Sequence, residues 1–325
     1  MNQLRKKYSD SIKPEFLAEL GQGAEGQVFE MTNTPGVVYK EFFVVSSSPP
    51  NLAALEKLIE VSRSMSAADK QWTEERVLTP TDAIVHNGKL RGYLMKKISP
   101  NFYCLHGVKA RPKTVPCDWN FLSMRKSFAS NKNLVSQVPV LSTVQVLKLL
   151  LDLAETIEIL HRYDIILGDI SGRNLLWTSS PELRVLLIDC DGFRVRGMGS
   201  VNYPKQTPDW IDSTISNNST NQSSDIYKLG LAAYRSVWNH PTNAPPVNLS
   251  QPINESQNLS VLIRLINESY SENNRPTAND WVSGLRDCLT SIQSEKTPPK
   301  STSQIVKPIP PKPTRPTISM KQKND

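Results

Sequence analysis

The chain has 325 residues, of which 38% are hydrophobic and 21% charged, so it is long enough for more than one typical domain. No apolar run approaches the roughly 18 residues that a membrane-spanning helix needs, and we therefore expect no membrane span. The formal net charge is +7, but residues 296–325 hold seven basic residues and only one acidic residue. The rest of the chain is close to neutral, and no nucleic-acid partner is expected.

The N-terminus and the cysteines indicate the cellular compartment. The first ten residues, MNQLRKKYSD, are basic but precede no apolar segment, so no secretory signal is expected. The four cysteines do not have the spacing of a metal site: Cys104, Cys117, Cys190 and Cys288. A reducing, cytoplasmic location is the simplest expectation.

A glycine-rich stretch, FLAELGQGAEGQVF, occupies residues 16–29. Four of its residues fit the pattern GxGxxGxV, namely Gly21, Gly23, Gly26 and Val28. A dinucleotide-binding loop would need a helix next, whereas a turn at 33–36 and a strand at 37–43 follow here. The pattern therefore favours a glycine hairpin that closes over phosphates, and the alternative is a turn with surplus glycines.

Lys40 lies on that second strand, VVYKEFF, where a lysine would otherwise simply point into water. Its distance of 14 residues from Gly26 and a helix predicted just after residues 46–50 set Lys40 apart from such a surface lysine. In NLAALEKLIEVSR, apolar residues recur at helical spacing, and Glu56 lies beside them. Glu56 is the better candidate to orient Lys40, and Glu60 is the alternative.

The stretch IILGDISGRNLLWTSSPELRVLLIDCDGF, residues 165–193, has the densest chemistry in the sequence. Two predicted strands, 174–177 and 184–188, place acidic and amide side chains at their ends. Asp169 and Asn174 flank a tight turn, and Asp189 follows the second strand. Mg²⁺ prefers such a sparse set of oxygen ligands and takes its remaining ligands from water and phosphates.

These motifs together resemble the protein kinase-like superfamily. The D-x-x-x-x-N spacing, the strand that ends in Asp, the glycine pattern and Lys40 occur in the order of that family. Three downstream segments also resemble its C-terminal landmarks: QTPDWI, SDIYKLGLAAY with Asp225, and NNRPTANDW with Arg275. Small-molecule kinases of the aminoglycoside type lack these three segments. Asp212 is the acidic partner suggested for Arg275.

The resemblance has departures that point to an atypical bacterial Ser/Thr kinase. LGD stands in place of HRD and IDCDGF in place of DFG, so Gly168 replaces an arginine that would bind a phosphorylated loop. Control by phosphorylation of that loop is therefore not expected. The catalytic-loop lysine is also missing, and whether Arg173 replaces it is open. Asp191 is either a second metal ligand or a turn carboxylate.

The resemblance implies a role for each residue. Asp169 would accept the proton of a substrate hydroxyl, Lys40 would hold the ATP phosphates with Glu56 as its partner, and the glycines would cover them. Mg²⁺ would be held by Asn174, Asp189 and, in one reading, Asp191. Residues 95–98, beginning at Met95, would form the hinge that meets the adenine edge. Four apolar residues would flank the base, or could equally be ordinary core: Leu20, Val28, Val38 and Leu176.

The implied fold class is α+β, with a small β-rich N-lobe and a larger, mainly helical C-lobe. We expect an arm at 1–13, the N-lobe at 14–96, the C-lobe at 97–292 and a tail at 293–325. The N-lobe would hold five strands, two of them at 83–85 and 90–95, and one helix. Residues 99–140 predict one short helix with irregular flanks. A helix capped by Ser142 or Thr143 should run to about residue 160, before a structural His161.

The tail is rich in proline and lysine and cannot bury enough apolar surface to order itself. Residues 310–315 spell PxxPxR, which is compatible with a proline-groove binder; a plain solubilising linker is the alternative. The expected activity is transfer of the γ-phosphoryl group of ATP to protein Ser or Thr hydroxyls. The alternatives are a nucleotide-binding pseudokinase that engages a partner and a kinase of a small-molecule hydroxyl.

Overall fold

The computed structural model describes ten parts of the chain: residues 6–8, 12, 17–23, 25–43, 49–124, 133–202, 207–214, 220–239, 259–271 and 273–295. They form a mixed α+β structure with a mainly antiparallel N-terminal sheet and a helical C-terminal region. None of the described helices is long and apolar enough to cross a bilayer. Residues 293–295 of the predicted tail belong to the last helix, and the rest of that tail, residues 296–325, lies outside the described residues.

The N-terminal sheet has six strands in the order β1-β5-β6-β4-β3-β2. Their bounds are β1 Lys6–Tyr8, β2 Leu17–Gln22, β3 Gly26–Met31, β4 Val37–Phe42, β5 Asp82–His86 and β6 Lys89–Lys96. Neighbours are antiparallel except β1 and β5, which run parallel. The predicted five-stranded sheet was thus one strand short, because β1 falls in the predicted arm and its three residues, KKY, show no apolar alternation.

Two helices follow the glycine hairpin, where the sequence predicted one. Helix α1, Leu52–Ser64, begins where predicted, and the Asn51 side chain accepts a hydrogen bond from the Ala54 amide (3.1 Å). Helix α2, Ala67–Arg76, was missed because its sequence, AADKQWTEER, carries almost no apolar stripe.

Residues 99–140 are more ordered than predicted. They form a three-stranded sheet of β7 Tyr103–Val108, β8 Lys113–Pro116 and β9 Leu134–Ser136, in the order β8-β7-β9. The expected short helix is α3, Asn120–Ser123, and residues 125–132, which the prediction also covered in part, lie outside the described residues. The prediction missed these strands because they are short and largely solvent-facing, so apolar periodicity does not mark them.

The helical region is built on α4, Thr143–Arg162, as the sequence predicted. Ser142 and Gln145 form a reciprocal capping box at its start, and its buried face is almost entirely leucine, isoleucine and alanine. Three further helices are α5 Gln222–Val237, α6 Ser260–Ser269 and α7 Ala278–Glu295. Helix α7 packs along α4, and Trp281 is fully buried in this core.

Two small antiparallel ribbons present the polar loops. Strands β11 Leu175–Thr178 and β12 Arg184–Leu187 pair directly, and β10 Ile165–Ile166 pairs with β13 Arg194–Val195. All four residues of β11 are buried, so the ribbon is anchored in the core. The loops that leave these short strands hold the acidic and amide residues singled out in the sequence.

Candidate active site

A cleft of about 910 Å³ lies between the N-terminal sheet and the helical region. Three other pockets are much smaller, at about 230 to 360 Å³. A volume of this size is typical of a site for a small organic ligand. The lining includes eleven of the predicted site residues: Leu20, Gly21, Gly23, Gly26, Val28, Val38, Lys40, Met95, Asp169, Asn174 and Asp189. Three predicted residues, Glu56, Leu176 and Asp191, are not part of it.

The glycine hairpin of β2 and β3 covers one side of the cleft, and its glycines differ in what surrounds them. A Cβ on Gly26 would lie 2.1 Å from the Glu41 carbonyl oxygen of the neighbouring strand, so only glycine fits there. A Cβ on Gly21 would meet nothing within 4 Å, and one on Gly23 only the Gly26 carbonyl oxygen, at 3.9 Å. The backbone at Gly21 and Gly23 therefore faces open space from which a ligand can approach closely.

Lys40 projects from β4 toward two carboxylates at the far end of the cleft. Its ammonium forms an ion pair with Asp189 and lies 2.6 Å from Asp191 Oδ2. Burial alone would lower the pKa of Lys40, but the two carboxylates outweigh burial and raise that pKa above its ordinary value. Lys40 is therefore a fixed cation at neutral pH.

The predicted pairing of Lys40 with Glu56 is not formed within the described residues. Glu56 lies on α1 as the sequence indicated, but the ammonium is taken by Asp189 and Asp191. The observed pairing depends on the 190–192 turn, which places the Asp191 carboxylate on the buried side of Lys40 and which no pattern in the sequence indicated.

The two aspartates of IDCDGF occupy different environments. Asp189 adopts the left-handed conformation, with φ of 63°, and Cys190–Gly192 form a single 3₁₀ turn. The Asp189 side chain is 41% exposed and faces the cleft, whereas that of Asp191 is only 2% exposed. This position does not support Asp191 as a metal ligand, and of the predicted metal ligands Asp189 and Asn174 line the cleft.

Asp191 is also held by Tyr93, a residue that the sequence interpretation did not single out. The Tyr93 hydroxyl donates a 2.5 Å hydrogen bond to Asp191 Oδ1, and its ring is fully buried beside Phe42. Tyr93 is the direct cross-strand neighbour of Lys40. A buried tyrosine on the strand that flanks a candidate lysine is a weak signal in sequence, because such tyrosines are common in cores.

Asp169, the predicted proton acceptor, lies on the cleft wall with both oxygens hydrogen-bonded. Asn174 Nδ2 donates to Asp169 Oδ2 at 2.9 Å, which ties the two ends of the D-x-x-x-x-N loop together. The backbone amide and the hydroxyl of Thr207 donate to Asp169 Oδ1, at 3.1 and 3.2 Å. Thr207 therefore holds one oxygen of Asp169 and Asn174 holds the other.

The loop that carries Asp169 is supported from below by α5. Fully buried Asp225 accepts hydrogen bonds from the backbone amides of Leu167 and Gly168, both at 2.9 Å. Lys228, also fully buried, donates to the Gly168 carbonyl, and burial lowers the pKa of this lysine. The sequence identified Asp225 as a buried anchor but gave no signal for Lys228, since lysines in an amphipathic pattern are normally read as solvent-facing.

The glycine of LGD has a local structural reason. Gly168 has a φ of +74°, and a Cβ there would lie 2.9 Å from the Gly192 carbonyl oxygen. No arginine side chain fits this backbone without a shift of the 190–192 turn. Arg173 lines the cleft and is exposed, while Ser171 is buried.

The predicted apolar walls are only partly present. Val28, Val38 and Met95 line the cleft, and Leu20 lies at its edge with 49% of its surface exposed. Leu176 does not line the cleft and is fully buried in the core beneath, which agrees with the alternative that it is an ordinary core residue. Ile188 lines the cleft instead.

The predicted partner of Arg275 is confirmed. Arg275 forms a two-point ion pair with Asp212, and one of its two contacts is 3.0 Å long. Both side chains are almost completely buried, at 5% and 0% exposure. The pair lies away from the cleft and joins the segment 208–214 to the turn before α7.

Among the described residues, no three His, Cys, Asp or Glu side chains form a ready-made metal site. A metal at Asp189 and Asn174 would therefore take most of its ligands from water and from a bound molecule, as Mg²⁺ sites in proteins commonly do.

No protein-family model matches the chain, and no curated protein matches it either.

Proposed function

We propose that this chain is an ATP- and Mg²⁺-dependent kinase of the two-lobed protein kinase-like fold that phosphorylates Ser or Thr hydroxyls of proteins. The observation that carries the proposal is that residues far apart in sequence meet in one cleft. Lys40 and Asp189, 149 positions apart in sequence, meet in the same cleft that holds the glycine hairpin and the Asp169–Asn174 pair. Phosphoryl transfer depends on such positioning and electrostatic groups rather than on covalent chemistry by the protein.

The proposal gives each cleft residue a role. Lys40 neutralises phosphate charge, and the open backbone at Gly21 and Gly23 lets the hairpin close on the phosphates. Asp189 and Asn174 hold the magnesium ion, which supplies charge neutralisation between phosphates when bound. Asp169 orients the attacking hydroxyl and accepts its proton, and Thr207 keeps that carboxylate in place.

The proposal is tested with purified protein, labelled ATP and a generic protein substrate. Asp169→Ala should abolish phosphoryl transfer while leaving ATP affinity within about threefold, because Asp169 acts on the hydroxyl rather than on the nucleotide. Asp287→Asn, at an exposed aspartate on α7, is the matched control and should behave as wild type. Full activity in Asp169→Ala would overturn the proposed mechanism.

One observation favours a second candidate, a nucleotide-binding pseudokinase. The protein kinase-like superfamily has a lysine at the position of Ser171, which here is buried. Lys40 and exposed Arg173 are therefore the cations that line the cleft near Asp169 and Asp189. Fewer fixed cations mean less stabilisation of transition-state charge. ATP-dependent stabilisation without transfer to any protein would favour this candidate, and transfer to a small alcohol would favour a small-molecule kinase.

A further inference from the structure

Asp191 has a combination of features that the proposed reaction does not use. It is an almost fully buried carboxylate, outside the cleft lining, yet its two oxygens contact two residues that line the cleft: Lys40 at 2.6 Å and Tyr93 at 2.5 Å. Removing one member of such a buried pair is strongly destabilising, because the other charge is left without a partner.

We infer that Asp191 is the positioning carboxylate of Lys40, in the role that the sequence assigned to Glu56, and that Tyr93 fixes its orientation. The inference rests on the proposed function. Asp191 touches neither phosphate nor metal in this arrangement and acts through Lys40.

The two carboxylates that contact the Lys40 ammonium differ in exposure, and their roles differ accordingly. Asp189 faces the cleft and is free to turn from Lys40 toward a bound metal ion. Asp191 is buried and stays with the lysine, so the ammonium keeps a counter-charge when Asp189 is engaged elsewhere. Without Asp191, Lys40 would pair with Asp189 alone, and each would then hold the other away from the nucleotide.

The position of Asp191 is fixed by the core rather than by a helix. Neighbouring Cys190 is fully buried, and its thiol lies 3.2 Å from the Leu78 carbonyl oxygen. The Leu78 amide in turn donates to the Leu187 carbonyl on β12 (2.9 Å). A lysine oriented from this turn does not depend on the placement of α1, which carries Glu56.

The test measures ATP affinity by calorimetry in EDTA and in excess Mg²⁺. Asp191→Asn should weaken binding about tenfold or more in both conditions, because Lys40 contacts phosphate with or without metal. Asp189→Asn should instead remove the gain in affinity that Mg²⁺ confers. The ATP affinity of Glu56→Gln should stay within threefold of wild type. Tyr93→Phe deletes one hydrogen bond and no charge, so its ATP affinity should lie between those of wild type and Asp191→Asn.

A double-mutant cycle separates action through Lys40 from general damage. In a Lys40→Met background, Asp191→Asn should cause no further loss of ATP affinity. In thermal unfolding without nucleotide, the double variant should be no less stable than the less stable of the two single variants, Lys40→Met and Asp191→Asn. Independent, additive effects in either cycle would overturn the inference.

The outcomes also distinguish the inference from the proposed function. If wild type binds ATP and Asp191→Asn binds it equally well, while Glu56→Gln loses as much affinity as Lys40→Met, the helix glutamate is the partner and the inference fails alone. If wild type binds no ATP in either condition, the proposed function fails first. If Asp191→Asn does not fold, Tyr93→Phe takes its place, and an ATP affinity equal to that of wild type would then count against the inference.

Discussion

At the scale of single residues, the glycines of the hairpin differ in whether the fold leaves room for a side chain. Gly26 lies against the backbone of β4, where a Cβ would be 2.1 Å from the Glu41 carbonyl oxygen, and Gly21 has no neighbour within 4 Å of its Cβ position. One glycine is therefore needed to build the hairpin, whereas the other is available for contact with a ligand.

This difference predicts opposite results for two alanine variants. Gly26→Ala must push β3 from β4 and should lower the free energy of unfolding by about 2 kcal/mol or more. Gly21→Ala should leave it within about 0.5 kcal/mol, yet weaken ATP binding if the hairpin closes on phosphates. Urea unfolding and calorimetry measure both effects. Equal stability of the two variants would contradict the close approach at Gly26.

The same scale shows what the sequence could indicate about the site. Asp169, Asn174 and Asp189 were singled out because polar residues at strand ends and turns are recognisable in sequence, and Lys40 was singled out by its position after the glycine pattern; the structure brings all four to one cleft. The observed partners of Lys40 could not be predicted, because the pairing depends on the backbone of residues 189–191. The left-handed Asp189 and the following 3₁₀ turn place Asp191 beside the lysine, and a two-residue spacing does not indicate such a turn.

At the scale of elements, the segment after the 190–192 turn is held by protein contacts. The Val201 carbonyl accepts a hydrogen bond from the Asn51 amide (2.7 Å) at the start of α1, and Val201 is buried. Asn202 Nδ2 donates to Glu25 Oε2 (3.1 Å) at the tip of the glycine hairpin. Residues 201 and 202 therefore connect α1 and the glycine hairpin through hydrogen bonds of the protein itself.

These contacts lead to a prediction about regulation. Because residue 168 is a glycine, this position offers no arginine side chain to receive a phosphate. Ser200→Ala should therefore keep the rate within roughly threefold, or about 0.7 kcal/mol on the transition-state scale. Thr207→Ala should lose more, because Thr207 holds Asp169. Kinetics on phosphatase-treated protein give the comparison. Activity that returned only on phosphorylation of Ser200 would contradict the prediction.

The elements that the sequence did not predict share a physical cause. Strand β1 and the strands at 103–136 are short, and helix α2 is mostly polar, so their stability comes from contacts made after folding rather than from apolar periodicity. Long elements with a buried stripe, such as α1 and α4, were predicted within a few residues.

At the scale of the whole molecule, one buried network joins α2 to α4 and to β12. Arg76 of α2 donates to Asp152 of α4 at 2.7 Å, and the guanidinium stacks on Trp72 at 3.6 Å. The other oxygen of Asp152 accepts the Val185 amide of β12 at 2.8 Å. Since β12 leads directly to Asp189, this network links α2 and α4 to the strand that enters the candidate site.

The last prediction concerns this network. Asp152→Ala would leave Arg76 Nε and the buried Val185 amide without their acceptor, and should lower the free energy of unfolding by about 3 to 5 kcal/mol. Asp152→Asn keeps an acceptor for Val185 and should lose less. The control is Glu155→Ala, which breaks a surface ion pair with Arg286 and should cost about 0 to 1 kcal/mol.

Urea unfolding measures these free energies, and amide hydrogen exchange shows where protection is lost. Because Asp152 contacts α2 and β12 at once, exchange should accelerate in both of these elements. Loss of protection confined to β12 would show that Arg76 does not couple α2 to the rest of the network.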